Sequence, residues 1–226
     1  MLITQKTAKA AGILFLIAAV SAILGRILYE PILSDPDYLI SGAANANQLI
    51  LGAIMELVLV ASAVGTSISM FPFLRQYNET LALGHVMFRF LEAVVITVGV
   101  ISMLSLLTLS REYVAAGMPD TSFFHATGTS LKAVYEWTFL LGPNFMLGIN
   151  TMLYSFIFYK SGLVPRSIPL LGMTGAGLVF LCALLVMFDV IEQLSVWGAL
   201  LALPVAANEM ILAVYLIRKG FKVIKY

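Results

Sequence analysis

The chain has 226 residues, of which 61% are hydrophobic and 11% charged, where soluble proteins carry about 25% charged residues. A mean hydropathy of +0.98 excludes a water-soluble globular domain, whose surface needs polar cover. The net charge of +1 provides no basic field for nucleic acid, and the lone Cys182 cannot close an internal disulfide.

A bilayer core about 30 Å thick takes roughly 20 helical residues. Six apolar runs are long enough, at about 9–29, 48–73, 81–109, 129–158, 168–188 and 194–217. They are continuous rather than alternating, so helices are predicted and barrel strands are not. The expected fold is all-α: a polytopic integral membrane protein, one transmembrane domain built as a six-helix bundle. The first run follows Lys6 and Lys9, as a cleaved leader would. Its apolar residues pass straight through Val20-Ser21-Ala22 to Leu24, so an uncleaved helix is predicted. YEPILSDPDY, from Tyr29, closes that helix with two prolines and three acids. REYVAAGMPDTS, from Arg111, and YKSGLVPRSIP, from Tyr159, are the other turn-rich connectors. Gly142-Pro143 should kink the fourth run, and Pro204 should bend the sixth. The glycines of GMTGAG, Gly172 to Gly177, permit close helix packing, and Tyr38 and Trp197 read as interface anchors.

Basic residues orient the bundle. With the N-terminus in the cytoplasm, Lys6, Lys9, Arg75, Lys160, Arg166, Arg218, Lys219, Lys222 and Lys225 all fall inside, nine of the thirteen. Glu30, Asp35, Asp37, Glu112, Asp120, Asp189 and Glu192 fall outside. Both termini are therefore expected to be cytoplasmic, in a multi-pass protein of the cytoplasmic (inner) membrane.

Charges within hydrocarbon cost about 2.5–3.5 kcal/mol each on insertion scales and normally face the bundle interior. At about 1.5 Å per residue, Glu56 and Glu136 should lie at similar depth in the outer half, with Arg26 and Lys132 about one turn nearer the edge. In the inner half, Arg89 lies eight residues after Leu81 and Glu209 eight before Ile217, so the two should be level. Glu92 is one turn beyond Arg89, inside FRFLEA, and His85, Arg89, Glu92, Gly99 and Ser102 form one stripe. One arginine against two glutamates leaves the inner group formally −1. Such a carboxylate should hold a proton, coordinate a cation or meet a ligand. Candidate ligand- or proton-binding residues are thus Arg89, Glu92, Asn208 and Glu209, with Glu56, Glu136 and Asn144 as an outer polar lining and Asn150 on the inner half of the fourth run. The alternative is structural: ion pairs of Arg89, Glu209, Arg26 and Lys132 that lock helices together.

No set of histidines, cysteines and acids converges as a metal site needs, since His85 and His125 fall on opposite sides. No nucleophile elbow, phosphate loop or dinucleotide fingerprint is present. No catalytic residue, metal or cofactor is therefore named.

Several stretches carry a family resemblance: AGILFLIAAVSAILG in the first run, FRFLEAVVITVGV in the third, EWTFLLGPNFMLGINTMLYSFIFYKSGLVPRSIPLLG across the fourth and fifth, and WGALLALPVAANEMILAVYLIRKGF in the last. With these the chain resembles, over nearly its whole length, the bacterial membrane family designated Domain of Unknown Function 4386. The resemblance implies a multi-helix bacterial inner-membrane protein and brings no activity with it. The leading functional expectation is small-solute or proton-coupled transport or binding through the buried Arg/Glu/Asn cluster. The rivals are an accessory, assembly or sensory membrane protein, and an intramembrane lipid-modifying enzyme using a glutamate as base. The expected surroundings are the lipid bilayer and a small solute or proton; nucleic acid is not expected, and no protein partner is indicated.

Overall fold

A computed structural model describes residues 2–119 and 122–222. Asp120 and Lys225, counted in the charge asymmetry above, lie outside the described residues. The described chain is all helical: α1 (Leu2–Leu33), α2 (Tyr38–Ala44), α3 (Ala46–Leu74), α4 (Glu79–Ala115), α5 (Ser122–Leu140), a π-helical segment (Leu141–Met146), α6 (Leu147–Ser161), α7 (Ser167–Met187) and α8 (Val196–Arg218). Among the described residues, five helical stretches are long and apolar enough to cross a membrane: Gln5–Leu33, Ala46–Leu74, Glu79–Ala115, Ser167–Met187 and Val196–Arg218. The chain is a multi-pass membrane protein.

The helices outrun the apolar segments that seed them. α1 continues through Pro31, and α4 runs six residues past Leu109 through Arg111 and Glu112, because polar residues can stay helical once they leave hydrocarbon. The chain turns only at Gly117 and Met118, both at positive φ. α6 ends at Gly162, whose φ of 68° is the left-handed cap that glycine adopts without steric penalty. Ser195 caps α8 by accepting the Gly198 N–H at 3.2 Å.

The fourth predicted run, 129–158, is divided among α5, the π-helical segment and α6. Proline lacks an N–H and crowds the carbonyl one turn back, so Pro143 cannot sit in a regular helix interior without adjustment. Here the adjustment is a π-type widening, in which the Leu147 N–H reaches the Gly142 carbonyl five residues back.

The chain divides into two compact units. The first comprises Met1–Ile17, Ala61–Ala93 and Leu140–Tyr226. Phe15, Met70, Leu74, Tyr154, Phe158, Leu212 and Leu216 form its apolar core. Within it α7 and α8 touch backbone to backbone: a Cβ at Gly175 would lie 2.6 Å from the Val205 nitrogen. The second comprises Ala18–Val60 and Val94–Phe139, with Tyr29, Leu49, Met103, Leu106 and Tyr135 at its centre. Tyr38, read from the sequence as an interface anchor, is instead buried there. It is a small enough aromatic to pack inside while its hydroxyl donates to the His125 carbonyl at 2.9 Å. Trp197 is outward-facing at the start of α8.

Candidate functional site

α4 carries the charges of the first unit. Arg89 and Glu92 stand one turn apart on the same face, and both are 3% exposed. One terminal guanidinium nitrogen of Arg89 donates to both oxygens of Glu92, at 3.1 and 3.0 Å. The other donates to Glu209 of α8 at 3.2 Å. Its Nε reaches the Thr66 hydroxyl on α3 at 3.4 Å, and its guanidinium carbon lies 5.7 Å from the Phe15 ring centroid on α1. The structure thus brings Arg89, Glu92 and Glu209 together, one cation held by two carboxylates. All three guanidinium nitrogens are engaged. Glu92 is enclosed, whereas the Glu209 side chain keeps 16% of its surface.

A neutral network surrounds this group within the same unit. Asn208, beside Glu209, donates to the Ile168 carbonyl at 2.6 Å and accepts from the Tyr154 hydroxyl at 3.2 Å. Asn150 pairs with the ring of His85, one turn before Arg89 on α4. Both are fully buried, and the His85 Nε2 and Asn150 Nδ2 atoms have no hydrogen-bond partner. Neutral imidazole and amide each offer a donor and an acceptor, and their mutual bond uses one of each. The Asn150 carbonyl oxygen accepts from His85 Nδ1–H, so His85 Nε2 remains as an unpartnered acceptor and the Asn150 amide nitrogen as an unpartnered donor. The Ser155 hydroxyl is likewise buried without a partner; a Cβ at Gly172 would press on both Ser155 and Asn208.

The second unit holds Glu56, 5% exposed on α3, which accepts from the Tyr135 hydroxyl of α5 at 2.9 Å. Tyr29 of α1 meets Tyr135 edge-on, with ring centroids 5.3 Å apart. Arg26 pairs with Glu30, four residues on, and lies over the Phe139 ring at 5.2 Å. Lys132 sits 4.6 Å from the Tyr38 ring centroid, and among the described residues it forms no ion pair. Of the expected Arg26–Lys132–Glu56–Glu136 group, Arg26 lies near enough to Glu56 to act on it through its charge without an ion pair, while Lys132 rests on Tyr38 and Glu136 faces outward, because membrane depth alone says nothing of helix face.

Glu136 does not line an interior. It is exposed, and its neighbour Tyr135 is the buried residue. One residue is a rotation of about 100° around a helix, enough to exchange inside for outside. Asn144 is half-buried within the π-helical segment and belongs to the first unit, not with Glu56. Of the stripe beginning at His85, Ser102 donates to the Leu131 carbonyl at 2.6 Å in the second unit.

Sequence reasoning overlooked Tyr154, Tyr135, Tyr29, Thr66 and Phe15. One signal was available: Asn150 and Tyr154 are four apart in an apolar run and therefore share a face. Among the described residues no three histidine, cysteine, aspartate or glutamate side chains group as a metal site would.

No curated protein and no solved structure matches this chain. The family described as Domain of unknown function (DUF4386) matches over residues 10–220, nearly the whole length and including every residue of both charged groups. The chain belongs to that family.

Proposed function

We propose that this protein binds and moves a small solute, or couples its movement to a proton, through the cluster of Arg89, Glu92 and Glu209. One observation carries the reading: a single guanidinium serves two carboxylates inside apolar helices, a formal charge of one plus minus two, or −1. That excess is relieved by a proton or by a cationic group on a ligand. Glu209, the partly open member, is the point of entry, and Glu92 is the enclosed one. The unpartnered donor and acceptor of the His85–Asn150 pair lie one turn from Arg89 and suit a ligand that also carries a hydroxyl or amide.

The chain crosses the cytoplasmic membrane six times in this reading, with α5, the π-helical segment and α6 making one crossing, and both termini in the cytoplasm. The bias of basic residues supports that orientation.

The test is flux and ligand stabilisation in purified protein reconstituted into vesicles. Glu92→Gln and Glu209→Gln should each abolish or strongly reduce proton-coupled uptake, or remove the stabilisation produced by the best compound of a small-cation screen. If both variants match the parent in flux and in every ligand shift, the site reading fails.

A second reading has its own support. Every guanidinium nitrogen of Arg89 is already engaged, the arrangement of a helix lock in an accessory or sensory protein. That reading requires the same two variants to melt lower while every ligand and flux measurement stays at the parental value.

A further inference from the structure

We infer that Glu56 is a proton-binding site of the second unit, carrying an exchangeable proton on the oxygen that has no hydrogen-bond partner. The inference is independent of the Arg89 cluster. Glu56 is 5% exposed on an apolar helix, so its carboxyl is removed from water. One oxygen accepts from Tyr135 at 2.9 Å, and Oε2 has no hydrogen-bond partner. An ionised carboxylate left that way is costly in hydrocarbon unless a cation or proton compensates it.

Of the nearby cations, Arg26 is close enough to act on Glu56 through its charge, but neither it nor Lys132 forms an ion pair with Glu56. From α1, Arg26 holds Glu30 at 2.5 Å and lies over the rings of Phe139 and Tyr135. From α5, Lys132 lies over Tyr38, and Glu136 points away. Residues 94–110 of α4 contain no titratable side chain. The remaining titratable groups facing Glu56 are the phenols of Tyr29 and Tyr135.

Packing selects the ligand. A Cβ at Gly25 would come within 2.9 Å of the Glu56 Cγ, and one at Gly52 would enter the Tyr29 ring. The carboxyl is walled by these close contacts and offers one carboxylate and two phenols, too few oxygens for a divalent cation that requires six or more. A proton needs no coordination shell. Its binding forms one O–H bond from an Oε2 lone pair. The proton comes from hydronium, where one O–H bond breaks and a water is left, and release to water reverses both changes. Two further unpartnered buried atoms serve the two states: the Tyr29 hydroxyl, fully buried, can accept from the protonated acid, and Arg26 Nε can donate toward the carboxylate once the proton leaves.

The experiment is infrared difference spectroscopy on the full chain in lipid vesicles, taken between acid and alkaline buffer in H2O and D2O, with the proton itself as probe. A protonated-carboxyl band that titrates and shifts in D2O is expected. It should be lost in Glu56→Gln, displaced in Tyr135→Phe, and kept in Glu92→Gln and Glu209→Gln. If Glu56→Gln retains the band at full intensity, Glu56 is ionised and the inference is overturned. A Glu56 band present at every pH is equally fatal, because the carboxyl then never releases its proton. Should Glu56→Gln fail to fold, Tyr135→Phe decides alone: an undisplaced band overturns the proposal.

Discussion

Replacing Arg89 with methionine removes the one cation that Glu92 and Glu209 share while keeping an unbranched apolar stem. Breaking a buried ion pair from one side costs about 3–5 kcal/mol, because the partner is left charged and desolvated. Two partners are stranded here. Glu92, with 4% of its side chain exposed, bears nearly the full penalty; Glu209, at 16%, bears less. The single change should therefore fall near the upper end of that range. At about 2–4 °C per kcal/mol for a chain of this size, the melting point should drop by about 10–20 °C. Glu209→Gln is the internal comparison. Its amide still accepts from Arg89 and removes one carboxylate from an over-supplied group, so the loss should be about 1 kcal/mol. Adding Glu92→Leu to Arg89→Met should recover at least half of the deficit, since an apolar pair can replace a buried ion pair at little cost. The lone cysteine makes the assay specific: Cys182 is 1% exposed on α7, so a thiol-reactive fluorogenic dye reports unfolding at one known position. If Arg89→Met melts with the parent, or no lower than Glu209→Gln, the cluster does not hold these helices as described.

Three further outcomes are expected. Gly175→Ala drives a methyl into the α8 backbone, 2.6 Å from the Val205 nitrogen, and should cost about 1–3 kcal/mol in the dye assay. Gly177→Ala in the same motif meets nothing within 4 Å and should be neutral or slightly stabilising; equal behaviour of the two would refute close packing there. Tyr154→Phe removes the donor to Asn208 while Asn208 keeps its bond to the Ile168 carbonyl, so a loss of about 1 kcal/mol should appear as a lower melting point. For topology, Glu112→Cys and Lys160→Cys, each in a Cys182→Ala background, place thiols at exposed positions. An impermeant maleimide on intact cells should label the first and spare the second; the reverse pattern would put the termini outside.

How far the sequence could be read is clearest along the two charged helices. A constant helical rise turns residue counts into depth, so Arg89 and Glu209 could be matched although 120 positions separate them. Spacing also placed Glu92 on the face of Arg89. The fourth run failed where depth was asked to stand in for direction. Glu136 was favoured for its charge, yet the helix turns Tyr135 inward, and Tyr135 makes the bond to Glu56. The π-helical segment compounds this, because widening the helix over Leu141–Met146 changes the phase between Glu136 and Asn150. The GP pair announced an irregularity, but not its kind or the rotation it imposes.

The sequence by itself determined the solvent, the helical class and the approximate levels of the charges, because hydropathy and helical rise are one-dimensional properties. Only the tertiary structure decided partners across helices: that His85 meets Asn150, that Tyr135 rather than Glu136 reaches Glu56, and that the other oxygen of Glu56 has no hydrogen-bond partner. Those outcomes depend on the azimuth of each helix about its own axis. Small residues at close helix contacts, such as Gly25 against Glu56 and Gly175 against Val205, and the change of phase over Leu141–Met146 contribute to that azimuth, and apolar composition is nearly blind to it.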